Sequence, residues 1–382
     1  MSATLDIPSS VNLLARAETT IACVSATPDH NGYVPPGSCD SFYEYYPSFA
    51  LAAVVTGLFL LTTLGHILLA FYHKKGFCWV VCMGTLWEFA SFVFRTLSTK
   101  NQQNKTLVQN SFLLFALAPL WINAFVYMVA GRLIFCFHPE KRVYKFKAIY
   151  IGRFFVLADI ACFAVQLGGA LMISPGASQK LKETGLHVYQ AGIGLQQGFV
   201  LLFVAILVGF HVAMRGLERS GWRDSQNRKW GLMVWVLYFV LIMITIRIAY
   251  RLAEYLIPLD GNPLLTHEFY LYVLDALPMF LALVALLVVH PGRVLVGPGN
   301  NYREGKKQMK AEKKARKHGK PFGADEEESM MGVELDHAGS AWGGSAAPAA
   351  YSPLGDEQVH GVVGGADAQG QGTLYDPHYG GM

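Results

Sequence analysis

Charge is scarce in this chain. Of its 382 residues, 15% are Asp, Glu, Lys or Arg, where a soluble domain carries about 25%. With 53% hydrophobic residues, that shortage excludes an ordinary water-soluble fold. Other absences narrow the function. No Gly-rich phosphate-binding loop occurs, so ATP hydrolysis within the chain is not expected. The last apolar stretch, Glu268–His290, holds no lysine, which excludes a retinal Schiff base there. The third ends Ala130-Gly131-Arg132, and the last carries Leu277-Pro278-Met279. A rhodopsin-like receptor would show an acidic-Arg-aromatic triplet and Asn-Pro-x-x-Tyr at those places. The loops before the third and fifth stretches also lack the cysteines that usually join them. His66, His211 and His290 stand isolated, against an intramembrane zinc hydrolase. No cofactor or metal is implied, and the chain is read as a non-enzyme. Residues 1–47 contain no basic stretch leading into an apolar one, so no cleavable signal peptide is expected. No lipidation motif is evident at either end.

What is present is a set of seven apolar stretches. They run Ser48–Tyr72, Phe77–Leu97, Ser111–Phe137, Ala148–Ile173, Leu186–Met214, Trp230–Leu256 and Glu268–His290. About 20 apolar residues, rising about 1.5 Å each, span a bilayer core as a helix. Backbone polar groups in lipid must be satisfied within the segment, so helices are expected. The fold class is therefore all-α: a polytopic membrane protein with seven transmembrane helices. Residues 1–47 form an extracellular tail, 48–292 the helical domain and 293–382 a cytoplasmic tail. That last tail carries a basic run, Lys306–Lys320, then acidic residues 325–328, then Gly/Ala-rich sequence. Its composition predicts disorder. The basic part is expected either to lie on anionic lipid or to be a solvated topogenic segment.

Loop charge gives the orientation. Lys and Arg gather on the cytoplasmic side of membrane proteins. Here 21 fall on the side of Lys74, Lys141, Arg215 and the C-terminal tail, against five on the other: Arg16, Lys100, Lys105, Lys180 and Lys182. The N-terminus is expected outside and the C-terminus inside. Cys23 and Cys39 then lie in an oxidising compartment, where a disulfide between them is an open alternative to free thiols. Asn104-Lys105-Thr106 is a candidate glycosylation sequon on the same side. Trp79, Trp222, Trp230, Tyr43, Tyr45 and Tyr46 fit interfacial belts. Arg132, Arg153, His66 and His211 lie near cytoplasmic helix ends.

Ionisable groups inside spans cost about 2.5–3.5 kcal/mol each on insertion scales, so each needs a reason. Glu88 and Arg95 are i, i+7 on helix 2; Asp159 and Gln166 are i, i+7 on helix 4; Glu268 and Asp275 are i, i+7 on helix 7. Arg247, Arg251 and Glu254 are i, i+4, i+7 on helix 6. Each set is expected on one helix face. Depth matches Arg247 to Asp275, with Glu88 or Asp159 as alternative partners. The faces of helices 6 and 7 are expected to meet. Two readings follow: an ion-pair network that fixes helix register, or an outward-opening pocket that holds a polar head group. Gln196 and Gln197 are expected to hydrogen-bond between helices. Asn123 and Tyr127 follow Pro119, which should kink helix 3. Pro278 should free a backbone carbonyl near Asp275. Gly168, Gly169, Gly192 and Gly194 are expected to allow close packing.

The ordered set of motifs resembles the fungal RTA-like family, the lipid-translocating exporters named for resistance to aminocholesterol. The resemblance rests on Tyr45-Tyr46-Pro47-Ser48, Glu88 with Arg95, and Ala118-Pro119 with Tyr127 and Gly131-Arg132. It continues with Asp159, Gln166-Leu167-Gly168-Gly169 and Gly192-Ile193-Gly194-Leu195-Gln196. Its most specific part is Ile246-Arg247-Ile248-Ala249-Tyr250-Arg251-Leu252-Ala253-Glu254-Tyr255, followed by Glu268, Tyr272, Asp275 and His290-Pro291-Gly292. The family's usual Gly-Tyr after the helix 2 glutamate is replaced by Phe89-Ala90-Ser91-Phe92. The resemblance implies a translocase of sphingoid-base-like amphipaths that contributes to resistance against membrane-active compounds; some members are tied to porphyrin uptake. The alternative is a seven-helix sensor that binds a lipid-like ligand without moving it. Implied partners are the bilayer and an amphipathic small molecule, with no nucleic acid; the sequence does not indicate an oligomeric state. The plasma membrane is the expected location, an endomembrane the alternative.

Overall fold

The computed structural model describes residues 25–36, 38, 39, 41–173, 177–221, 230–256, 262–295 and 307. Helix α1 is Phe49–His73. A 3-10 turn, Gly76–Cys78, leads into α2, Trp79–Ser98. Helix α3 is Lys105–Phe137, α4 Ala148–Met172, α5 Gln179–Arg219 and α6 Trp230–Leu256. The seventh span, Glu268–Val294, follows a short α7, Pro263–Thr266. It is composite: α8 Glu268–Leu271, a π-helical turn Tyr272–Ala276, α9 Leu277–Val288 and α10 Pro291–Val294. Among the described residues, seven helices are long and apolar enough to cross a membrane.

Two helices outrun their apolar stretches. Helix α3 begins at Lys105 instead of Ser111, and α5 covers Gln179–Arg219 instead of Leu186–Met214. Hydropathy marks the part of a helix that suits lipid, whereas caps mark its ends. Asn104 accepts from the Leu107 amide and Ser178 from the Leu181 amide. Each such cap contributes about 1 kcal/mol, so the polar turns beyond the apolar runs stay helical. The sequon asparagine is thus the α3 N-cap.

A small antiparallel hairpin that the sequence did not announce joins α3 to α4. Strand β1, Arg142–Val143, pairs with β2, Phe146–Lys147. Helix α3 contributes sixteen buried residues, with Tyr127 packed on Phe155 and Phe203. Close approach needs glycine where α4 meets α5. A Cβ on Gly169 would sit 2.7 Å from the Gly185 carbonyl oxygen, and one on Gly192 2.7 Å from Gln166 Cγ. Gly168 and Gly194 have nothing within 4 Å and play no such part.

The segment before α1 is not a loose tail over its described residues. The Gln102 amide donates to the Asn31 carbonyl at 3.0 Å. Tyr43 is buried and its phenol bonds Ser98. Arg95 donates to the Tyr45 hydroxyl at 2.6 Å. These tyrosines belong to a cap on the bundle, not to a belt; the end they cover is called the capped end below. Trp230 is likewise buried, donating to Glu218 at 3.2 Å. His66 is buried too, bonded to the Leu283 carbonyl instead of facing an interface. Trp222 lies outside the described residues.

Candidate functional site: a bridged charge cluster beside a cavity

The charges within the spans sort into three groups. The first joins α2, α6 and the π turn. Arg247 reaches Glu88 at 3.3 Å through Nη1 and Asp275 at 3.0 Å through Nε. Arg251 reaches Asp275 at 2.6 Å and Glu254 at 3.1 Å. Asp275 therefore bridges two guanidiniums. All five side chains are largely buried, with Arg251 the most accessible at 17%. Arg247 meets both Asp275 and Glu88, two of the partners that depth left open; Asp159 is elsewhere. Three carboxylates against two guanidiniums leave one formal negative charge.

Phe115 is part of this group and was not foreseen. Its carbonyl accepts from Arg247 Nη2 at 2.9 Å. Its ring centroid lies 4.7 Å from the Arg247 guanidinium carbon and 5.2 Å from that of Arg251. The signal was present: Pro119 sits four residues on and has no N–H to occupy that carbonyl.

The second group closes the capped end. Arg95 meets Glu268 at 3.3 Å and the Tyr272 hydroxyl at 3.2 Å, besides Tyr45. Glu268 also accepts from the Ser48 amide at 2.8 Å and from the Tyr272 hydroxyl at 3.2 Å. Burial raises the Tyr43 phenol above its ordinary pKa, so it stays a neutral neighbour of Arg95. Glu268 and Asp275 thus meet different arginines, Arg95 for the first and Arg247 with Arg251 for the second.

The third group is Asp159 alone among polar neutral groups. One oxygen accepts from Asn123 at 2.9 Å and from the Tyr127 hydroxyl at 3.1 Å. Asp159 makes no ion pair among the described residues.

A cavity of about 220 Å³ connects the first group to the helix perimeter. Arg247 and Arg251 form one wall; Gln166, Gln196, Asn123, Tyr189 and Tyr255 supply its other polar groups; the rest is apolar. Gln166 donates to Gln196 at 2.9 Å. Ligand pockets usually enclose about 300–1,000 Å³. This one suits a head group, not a whole amphipath. Its mouth includes Phe112, Leu113 and Leu167, which are 43%, 47% and 42% exposed. An attached alkyl chain therefore has an apolar exit. Of the disulfide candidates, Cys39 is bonded, and Cys23 lies outside the described residues.

Comparison with known proteins gives a consistent picture. The profile of the family "RTA1 like protein" matches residues 81–297. The chain is 41% identical over 298 residues to the probable lipid transporter atnI of Emericella nidulans, covering 75% of this chain and 77% of that protein. It is 27% identical over 259 residues to the sphingoid long-chain base transporter RSB1 of Saccharomyces cerevisiae, covering 57% of this chain and 64% of the relative. It is 28% identical over 205 residues to protoporphyrin uptake protein 1 of the same yeast, covering 54% and 65%. The chain thus spans just under two thirds of each yeast relative. No solved structure matches it significantly.

Proposed function

The chain belongs to the RTA1-like family and is an integral membrane protein, and from that premise we propose that it moves sphingoid-base-like amphipaths across the bilayer. The observation that carries this reading is the cavity that joins the bridged cluster to exposed apolar residues. Gln166, Gln196 and Asn123 offer partners to the hydroxyls of such a ligand, and Glu88, Asp275 and Glu254 offset the charge of the two arginines in the cavity wall. The alkyl chain stays against Phe112, Leu113 and Leu167. The work is non-enzymatic: no bond in the ligand breaks.

The charge bias of the loops supports an N-terminus outside and the capped end facing outward. Residues 1–47 would then be extracellular, 48–292 membrane-spanning and 293–382 cytoplasmic. Export from the plasma membrane would lower the load of membrane-active compounds and so confer resistance.

A photoactivatable sphingosine with its reactive group beside the amine tests the site. Label is expected on peptides covering residues 112–123 and 163–170, with unlabelled sphingosine competing. Label confined to residues outside the cavity lining would overturn the assignment.

A further inference from the structure

A second cavity, about 400 Å³, lies on the same α3–α4 seam. It occupies the end away from the N-terminal cap, beyond the contact of Asp159 with Asn123 and Tyr127. Its floor is glycine. A Cβ on Gly131 would lie 3.1 Å from the Ala148 carbonyl oxygen, and one on Gly152 3.5 Å from Met128 Cα. The two backbones touch there, and both glycines line the trough.

The trough has two characters. Val156 and Leu157 make it apolar along α4, and Leu157 is 66% exposed, so it opens on the perimeter of the bundle. Arg132 and Arg153 line it as well. Arg132 is held in position: its guanidinium carbon lies 4.0 Å from the Phe77 ring centroid, and Nη1 donates to the Met128 carbonyl at 3.2 Å. Arg153 is exposed and makes no ion pair among the described residues. Among the described residues, no carboxylate lines the trough. Glu140, in the nearby hairpin, is engaged by Arg142 at 2.8 Å.

We propose that this trough binds an anionic phospholipid, its phosphate held between Arg132 and Arg153 and its acyl chains laid against Val156 and Leu157. Guanidiniums suit phosphate oxygens, which they meet through paired N–H donors. A long-chain base is disfavoured, since Arg153 has no carboxylate partner among the described residues to offset it, whereas Arg247 and Arg251 are paired with acids. A soluble anion is disfavoured because the lining is mostly apolar and the mouth faces the perimeter. Basic pockets between membrane helices are a common form of anionic-lipid site. The site is separate from the substrate cavity, and its existence does not depend on what that cavity carries.

The test is native mass spectrometry of the full chain in detergent, titrated with phosphatidylserine or phosphatidylcholine of matched acyl chains. Phosphatidylserine is expected to bind at least tenfold more tightly. Arg153→Gln should remove most of that preference, and Arg153→Lys should restore part of it. Arg132→Gln should act the same way, but its packing on Phe77 makes Arg153 the safer probe. Lys145→Gln with Lys147→Gln, which changes the basic hairpin outside the trough, should leave the preference within about twofold. Glycerophosphoserine at equal concentration should not compete. Equal binding of the two lipids would overturn the proposal. So would a preference unchanged in Arg153→Gln, a preference lost equally in the Lys145/Lys147 variant, or competition by the soluble head group.

Discussion

The Phe115 carbonyl accepts a hydrogen bond from Arg247 at 2.9 Å, within the helix that also contains Pro119. The proline has no N–H to give that carbonyl, so the acceptor is released into the bundle. One backbone defect on α3 thus helps hold a buried guanidinium of α6 in place, and the Phe115 ring lies beside it. Pro278 removes the helical partner of the Leu274 carbonyl in the same way, next to the π turn that carries Asp275.

The bridging of Asp275 between Arg247 and Arg251 makes a double-mutant cycle informative. Arg247→Met leaves Glu88 without its cation and should destabilise the protein by about 3–5 kcal/mol. Adding Glu88→Gln removes the stranded charge, while Asp275 keeps Arg251. The double variant should recover more than half of the loss in a thermal melt in detergent. If the two losses simply add, the pair is not coupled as the structure has it.

Gln166 and Gln196 separate ligand contact from helix glue. They hydrogen-bond each other, so changing both to leucine strands no partner and should alter stability by less than about 1 kcal/mol. Transport should nevertheless fall at least tenfold. A stable double variant with full transport would exclude these residues from the site.

The cap on the bundle has an alkaline limit. The Tyr43 phenol titrates above its ordinary value of 10.0 because it is buried. A raised folded pKa means its contribution is complete below pH 10 and is lost as pH rises through the folded value. Proteolytic cleavage between Ser25 and Ser48 should therefore accelerate above pH 10 in the native protein. Tyr43→Phe should flatten that dependence. A cleavage rate independent of pH in both forms would contradict it.

Orientation is open to a direct check. A tag after Met382 should be accessible only in permeabilised cells, and one before Ser25 in intact cells. The reverse pattern would invert the proposed direction of movement.

Much of this site was legible because charges are conspicuous in apolar sequence. The period of 3.6 residues put Arg247, Arg251 and Glu254 on one face, and depth brought Asp275 to them. The same rule did not reveal that Glu268 meets Arg95 and the Ser48 amide, since those partners come from α2 and from the segment before α1. It also left Asp159 indistinguishable from Glu88. Both sit near the middle of a helix, and only the packing of α3 against α4 shows that Asp159 meets Asn123 and Tyr127 instead of an arginine. The folding of residues 41–47 onto Arg95 had no local signal, because the tyrosines that do it look the same as interfacial ones. The Phe115 carbonyl could have been found by looking four residues before each proline.

The account rests on movement of the ligand, which one reconstitution decides. Purified protein in vesicles, without any partner, is given a labelled sphingoid base, and label crossing to the far leaflet is followed. The account predicts crossing well above protein-free vesicles, lost at least tenfold in the Gln166→Leu, Gln196→Leu variant. Saturable binding with no crossing would contradict it and identify a sensor built around the same cavity.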